Sequence, residues 1–340
     1  MDEARGVGGI RAWARVLPIV AGLLGLTGAV LLFARHDPAR ILHLVALAGF
    51  GMLWLLPVRL AAIMASAEGW RALFPKPRAA SLGLLTWMAF VRNAINTLLP
   101  VAHVGGEVAA ARSLIGRGVP APIAVAGIVV EVTMNLFAQM GFTLLGIGLL
   151  LSYIGTAPLI QRLWWGLAVA LPAGLVFVLL QRRSRPFTRL HRAISRFGGA
   201  SAGTAAQAHA VDDMVLTLYR RPMALARCTF WQVVSLAGGA GEFWVILRLL
   251  HEPAGLRLAL LFESLTQALQ SAAFMVPGTL GVQEGGLILV GAAAGLPADA
   301  ALALSAVRRV RQVGISLPVL LVWLRGERKR RDQPVEPSVR

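Results

Sequence analysis

Long apolar segments, separated by short polar ones, recur along the whole chain. Six of them come close to or exceed the roughly 20 residues that a helix needs to cross the hydrocarbon core of a bilayer. They are Val16–Ala34, Ile41–Ala65, Ile123–Leu151, Leu159–Leu180, Ala224–Leu250 and Ala300–Leu324. Two shorter stretches, Arg257–Val276 and Val282–Gly295, bring the number of crossings to about eight. The pattern predicts an all-α, polytopic transmembrane helical bundle, with residues 1–340 forming a single integral membrane domain.

The stretch Leu82–Leu99 differs from these segments. It is barely long enough to span, it has Arg92 and Asn93 in its middle, and a loop rich in glycine and proline follows it. Irregular backbone at membrane depth is tolerated only where it is buried in protein or lines a cavity. We therefore predict a re-entrant or half-spanning segment here.

Composition supports a membrane protein, since 57% of the 340 residues are hydrophobic, only 14% are charged, and the mean hydropathy is +0.69. The net charge of +17 is concentrated in the basic loop 181–222 and in the basic tail 325–340. Positively charged loops stay on the cytoplasmic side. We predict a multi-pass protein of the bacterial inner membrane with both termini in the cytoplasm. The charge is then explained by orientation, and we expect no nucleic-acid partner.

Cysteine and histidine give no sign of metal chemistry. The chain has one cysteine, Cys228, so it cannot form an internal disulfide or a cysteine-based metal site. The six histidines show no H-x-x-x-H or H-E-x-x-H spacing. We expect neither a metal nor a cofactor.

Polar residues within the apolar segments recur at helical spacing. Glutamates lie inside four of these segments, and Glu107 lies just outside one. Four stripes, each on one helix face, result from this spacing: Glu131, Asn135 and Gln139; Gln232, Ser235, Gly239 and Glu242; Glu263, Gln267 and Gln270; and Ser305, Arg309, Gln312 and Ser316. We predict that the stripes converge on an internal polar cavity, with Arg308, Arg309 and Arg311 as counter-charges. Interhelical hydrogen bonding is the alternative for the glutamine and serine residues.

A carboxylate beside helix breakers occurs twice. LLPVAHVGGE ends at Glu107 and MVPGTLGVQE ends at Glu284, and in both a proline lies seven residues before the glutamate. The pattern suggests two related halves, each with a broken helix at a midplane site, although chance and a shared need for turns explain it equally well. The residues predicted to form the structural breaks are Pro100, Gly105, Gly106, Pro277, Gly278, Gly281 and Gly285.

Two motifs resemble a known family. P-G-x-x-G-V-x-E at Pro277–Glu284, followed by ALALSAVRRVR at Ala301–Arg311, is similar to the lysylphosphatidylglycerol synthase transmembrane family, also called flippase-like. A second element of that family matches N-x-x-x-P-x-x-x-x-G-G-E-x-x-x-x-R from Asn96 to Arg112. GVQEGGLILVGAAAGLP most resembles the subgroup associated with hopanoid biosynthesis. The resemblance implies an inner-membrane protein that moves or handles lipids, without the soluble aminoacyl-transfer domain.

We therefore expect a lipid translocase or lipid-transport protein acting on a hopanoid or a phospholipid, and not an enzyme. Its expected partners are membrane lipids, anionic phospholipid or hopanoid, together with lipid-biosynthesis enzymes. A membrane-embedded lipid-modifying transferase and a non-catalytic scaffold for lipid synthesis remain the alternatives. The residues expected to bind or translocate substrate are Glu284, Glu107, Arg112, Asn96, Glu131, Glu242, Glu263, Arg308 and Arg309.

Overall fold

A computed structural model gives the fold. It describes residues 34–74, 80–99, 105–154, 174–181, 183–195, 202–252, 255–272 and 281–331, and isolated helical residues between 27 and 32 and between 165 and 172. These residues are helical or lie in short turns, and none of them forms a strand. The predicted all-α class is confirmed.

Eleven α-helices are seen in the described part of the chain, and a short 3₁₀ turn over Gly49–Trp54 joins the first two. In order they are α1 Pro38–Ala48, α2 Leu55–Leu73, α3 Leu82–Leu98, α4 Gly105–Ile115, α5 Ala121–Ile154, α6 Pro186–Ser195, α7 Ala202–Tyr219, α8 Pro222–Leu249, α9 Leu256–Ala272, α10 Val282–Ala293 and α11 Ala298–Arg331.

Local sequence explains where several helices begin. The Asp37 carboxylate accepts the N–H groups of Ala39 and Arg40 at the start of α1. Ser81 accepts the N–H of Leu84 at the start of α3. Such side chains satisfy N–H groups that have no partner within the helix.

Among the described residues, three helical segments are long and apolar enough to cross a membrane: Pro38–Leu73, Ala121–Leu151 and Pro222–Leu249. Two of the predicted spans, Val16–Ala34 and Leu159–Leu180, lie largely outside the described residues. The count of eight crossings therefore stays a prediction. At a rise of about 1.5 Å per residue, α3 is about 25 Å long and shorter than the roughly 30 Å hydrocarbon core.

One three-helix unit occurs twice. Helices α3, α4 and α5 have 17, 11 and 34 residues, and α9, α10 and α11 have 17, 12 and 34. Glu107 is the third residue of α4 and Glu284 is the third residue of α10. Residue 107 and residue 284 are 177 positions apart, and the same offset relates Glu131 of α5 to Arg308 of α11.

The turn after each short helix repeats in detail. Gly118 has a φ of +86° and Gly295 has a φ of +78°, a backbone region that favours glycine. The residue after each glycine donates its N–H to a carbonyl five residues earlier, at 3.2 Å and 2.7 Å. Pro120 and Pro297 then precede the long helices. Chance does not explain matching lengths, turns and hydrogen bonds, so the two units are structural repeats.

The units pack crosswise. Helix α3 of the first unit packs against α11 of the second, and α9 packs against α5. At the centre, α2 and α8 form an extensive interface, where a Cβ added to Gly69 would lie 3.0 Å from the Cys228 carbonyl oxygen. Close approach through small residues is typical of membrane helices. Both units therefore border one space, with α2 and α8 beside it.

The basic loop 181–222 contains two helices, α6 and α7. Most residues in the first half of α7 are exposed. However, its buried Val215 and Leu218 pack against α5, so one face of it is part of the core. Asp212 of α7 also accepts the backbone N–H of Thr188 at 2.8 Å, which fastens the start of α6.

Candidate functional site

A polar cavity of about 370 Å³ lies between the two units. Helices α2, α3, α4, α5, α8, α9 and α11 all contribute to its wall. Its charged and polar lining residues are Arg59, Ser66, Arg92, Asn93, Asn96, Thr97, Glu107, Glu131, Asn135, Gln139, Gln232, Ser235, Glu263, Gln267, Gln270, Arg308, Arg311, Gln312 and Ser316.

The cavity brings together residues from all four predicted stripes. The whole stripe of α5 and the whole stripe of α9 line it, as do half of the stripe of α8 and half of that of α11. Hydrogen bonds also cross between helices: Gln312 Nε2 donates to Thr97 Oγ1 at 3.2 Å, and Ser66 Oγ donates to Gln232 Oε1 at 3.2 Å. The glutamine and serine residues therefore act as interhelical hydrogen-bonding groups and as cavity lining at once.

Arg92 holds two carboxylates from two other helices. Its Nη1 lies 2.6 Å from Glu131 Oε2 and its Nη2 lies 3.1 Å from Glu131 Oε1. The same Nη1 is 3.2 Å from Glu107 Oε2. Gln232 Nε2 donates to Glu131 Oε1 at 2.7 Å. Glu131, only 1% exposed, thus accepts hydrogen bonds from three N–H groups.

Glu263 and Arg308 form a second buried pair, 3.1 Å apart between Oε2 and Nη2. Gln267 Nε2 donates to the other Glu263 oxygen at 2.6 Å. The Arg308 guanidinium carbon lies 4.3 Å from the centre of the Phe243 ring, a cation–π arrangement. A glycine, Gly239, stands where a side chain would collide with the Glu263 carboxylate.

Glu242, which does not line the cavity, pairs with Arg311, which does. Both side chains are almost fully buried, at 1% and 6% exposure. Together with the two pairs above, this accounts for Glu131, Glu242 and Glu263, the three glutamates of the predicted polar stripes. Each is buried beside a cation, as a charged group at bilayer depth requires.

Glu284 lies elsewhere. It is 2% exposed and is not among the cavity-lining residues. Its Oε2 accepts the backbone N–H of Gly281 at 2.7 Å, so it caps the start of α10. Its Oε1 accepts from Ser305 Oγ and from Arg309 Nε, both at 3.2 Å. Arg112 is exposed on α4 and does not line the cavity either. A binding role for these residues stays a prediction.

The two breaks are partly visible. Pro100, Pro277 and Gly278 lie outside the described residues. Gly105 and Gly106 begin α4, and Gly106 donates its N–H to Asn96 Oδ1 at 3.0 Å. A Cβ on Gly106 would lie 2.6 Å from that oxygen, so only glycine allows this contact. Gly281 has a φ of +76° and Gly285 is in the first turn of α10.

Two arginines of the cavity were missed as site residues. Arg92 was noted only as an irregularity of a short apolar stretch, although it and Asn96 are four residues apart on one helix face. Arg59 lies in a long apolar segment with no polar stripe around it. A charged residue inside an apolar segment is a functional candidate by itself, and that signal was present for both.

The arginine side of the cavity offers unused donors. Arg308 Nη1 and Arg311 Nε have no hydrogen-bond partner within the described part of the chain. Arg59 lines the cavity and forms none of the ion pairs among the described residues. Arg59 and Arg308 are both close enough to Arg311 to repel it. Three guanidinium groups in one cavity wall suit an anion.

No group of three or more histidine, cysteine, aspartate or glutamate side chains suited to a metal ion occurs within the ranges that the structure describes. The described side chains of the cavity can form ion pairs and hydrogen bonds and can exchange protons.

Comparison with known proteins identifies the family. The family model described as "Lysylphosphatidylglycerol synthase TM region" matches residues 18–319. No curated protein and no solved structure matches the chain. The match indicates a membrane protein involved in lipid biosynthesis or transport. Because it covers most of the chain, the protein belongs to the lysylphosphatidylglycerol synthase transmembrane family.

Proposed function

We propose that this protein is a lipid translocase of the bacterial inner membrane, oriented with both termini in the cytoplasm. The polar cavity between two repeated units supports the proposal. Transporters built from repeats place their substrate site between the repeats, near broken helices. A lipid headgroup would occupy the cavity while its hydrocarbon stays in the bilayer, because the cavity wall is polar and charged.

The cavity volume is consistent with a headgroup inside the cavity and hydrocarbon chains in the bilayer. About 370 Å³ is near the lower end of ligand pockets, which span roughly 300–1,000 Å³. A headgroup fits such a space, whereas whole acyl chains do not. Outward-facing apolar side chains such as Leu289, which is 74% exposed, and Phe230, 60% exposed, suit contact with hydrocarbon.

The unused donors favour a phosphate-bearing headgroup. Arg308 Nη1 and Arg311 Nε, with Arg59 beside them, offer charge-assisted hydrogen bonds to phosphate oxygens. A hopanoid whose polar end carries only hydroxyl groups would leave that positive charge uncompensated. A phospholipid is therefore the proposed substrate, and a hopanoid is the alternative that the same experiment examines.

Purified protein in phosphatidylcholine vesicles provides the test. The vesicles contain about 1% of a tail-labelled phosphatidylglycerol, and dithionite bleaches the probe only in the outer leaflet. We expect bleaching to continue past the outer-leaflet fraction in protein-containing vesicles. A tail-labelled glycolipid with a neutral sugar headgroup should cross at least tenfold more slowly. Equal rates for both probes would contradict the phosphate preference.

Arg59→Gln is the sharpest variant, because Arg59 has no carboxylate that its removal would leave unpaired among the described residues. A hydrogen bond to a charged group contributes about 1.5–3 kcal/mol, so we expect the rate to fall at least tenfold. Arg40→Gln is the matched control. Arg40 forms an exposed ion pair with Asp299 away from the cavity, so its loss should leave the rate unchanged.

The other functions give different outcomes in the same vesicles. Mass spectrometry of the lipids would show a new product if the protein were a lipid-modifying transferase. Vesicles that bleach no further than protein-free ones, with unchanged lipids, would support a scaffold that acts through lipid-synthesis enzymes.

A further inference from the structure

Among the described glutamates of the cavity, Glu107 has no cation of its own. Its only ion pair with a described residue is with Arg92 Nη1, at 3.2 Å, and the same nitrogen lies closer, at 2.6 Å, to Glu131. The neutral amide of Asn96 is its other polar neighbour. The Glu107 side chain is 23% exposed whereas that of Glu131 is 1% exposed. Cavity water therefore reaches Glu107 and not Glu131.

The second unit shows what this position looks like with a cation. Glu284 occupies the place of Glu107 and binds Arg309. The residue equivalent to Arg309 in the first unit is Val132, because residue 132 and residue 309 differ by the same 177 positions. Val132 lines the cavity. The second unit therefore has an arginine beside this glutamate, whereas the first unit has Val132 in its place.

The charged groups that face Glu107 do not supply a cation that pairs with it alone. The packed helix α3 supplies Arg92, and the packed helix α5 supplies Glu131. Farther round the cavity, Arg308 and Arg311 of α11 are each paired with a glutamate. Arg59 of α2 interacts with the Glu242–Arg311 pair instead. Arg112, on α4 itself, is exposed and lies off the cavity.

Two carboxylates that share one guanidinium in a partly dry cavity repel each other, and protonation of one relieves that repulsion. We propose that Glu107 is a proton-binding site that couples lipid translocation to proton movement. A hydronium ion in the cavity gives its proton to Glu107 and becomes water, and Arg92 is left in a one-to-one pair with Glu131. Loss of the proton to water restores the shared arrangement. The inference rests on the proposed translocation.

A pH gradient tests the coupling in the vesicles described above, with potassium and valinomycin holding the membrane potential at zero. A gradient of one pH unit corresponds to a tenfold equilibrium factor per proton. We expect the ratio of tail-labelled phosphatidylglycerol between the leaflets to shift by up to tenfold, and to shift the other way when the gradient is reversed. Glu107→Gln should keep that ratio at its gradient-free value.

Val132→Arg is an independent variant that keeps Glu107 but supplies the arginine of the second unit. It should abolish the response to the gradient, because an ion-paired Glu107 no longer exchanges its proton. Val132→Met, which adds bulk without charge, should keep the response. Size-exclusion profiles in detergent check that each variant is folded.

These experiments distinguish failure of the translocation proposal from failure of the proton-site proposal. Absence of any probe exchange in the unmodified protein, with or without a gradient, would refute translocation itself. Exchange that ignores the gradient in the unmodified protein would refute only the proton site. A normal response in folded Glu107→Gln or Val132→Arg would place the proton elsewhere and overturn the assignment to Glu107.

Discussion

Glu131 and Arg308 occupy equivalent positions in the two repeated units and carry opposite charges. Each is the eleventh residue of its long helix, and each lines the same cavity. Neither pairs with the other: Glu131 binds Arg92 and Arg308 binds Glu263. The first unit thus gives the cavity two glutamates and one arginine, and the second unit gives it one glutamate and two arginines.

Removing one residue of the Arg308–Glu263 pair should destabilise the protein more than replacing both residues with apolar ones. Arg308→Met leaves a buried carboxylate without its cation and should lower the free energy of unfolding by about 3–5 kcal/mol. Replacing both residues, as Arg308→Met with Glu263→Leu, removes the unpaired charge and should recover most of that loss. Thermal unfolding of purified protein in detergent, followed by tryptophan fluorescence, measures both. Additive losses in the double variant would show that the two side chains are not coupled.

Glu284→Gln should reduce stability. The amide still accepts the N–H of Gly281, but the partly buried Arg309 guanidinium loses its charge-assisted hydrogen bond to Glu284, at an expected cost of about 1.5–3 kcal/mol. Asp213→Asn is the control, because the Asp213–Arg185 pair is exposed and contributes close to nothing. A normal melting temperature together with abolished lipid movement would instead support the functional role predicted for Glu284 from the sequence.

The polar side of each helix was predictable from the chain alone. Helical spacing fixes which residues share a face, and a face with several polar groups and a carboxylate cannot be placed against hydrocarbon. Arg308, Arg309 and Arg311 were predicted as counter-charges, and each is within 4 Å of a glutamate. These features follow from the spacing of polar residues and from the presence of charged residues in apolar segments, and both can be read from the sequence.

The orientation of the short helices was not predictable in the same way. Spacing places Glu107 and Glu284 at matching positions, but it does not say which wall each faces. Glu107 turns towards the cavity because Arg92 of α3 attracts it, and Glu284 turns away because Arg309 and Ser305 of α11 do. Such choices depend on partners brought close only by tertiary packing.

Orientation in the membrane can be tested with reporters. If the basic residues of the loop 181–222 and of the tail 325–340 hold those segments in the cytoplasm, fusions made after Arg196 and after Arg331 should both report cytoplasm. A fusion protein that is active only in the cytoplasm and one that is active only in the periplasm give opposite readings at each site. A periplasmic reading at either site would contradict the eight-crossing arrangement.

Gly239 should be a positioning residue for the Arg308–Glu263 pair. Ala at this position would push its Cβ into the Glu263 carboxylate, so we expect Gly239→Ala to cost about 1–3 kcal/mol and to slow lipid movement. Gly241→Ala on the same helix is the control, since its Cβ would meet only Val58, at 3.8 Å, and should change stability little. Combining Gly239→Ala with Glu263→Asp shortens the acid by one methylene group and should recover part of the melting temperature. If Gly239→Ala behaves like Gly241→Ala in thermal unfolding and vesicle assays, contact between α8 and α9 does not set the position of Glu263.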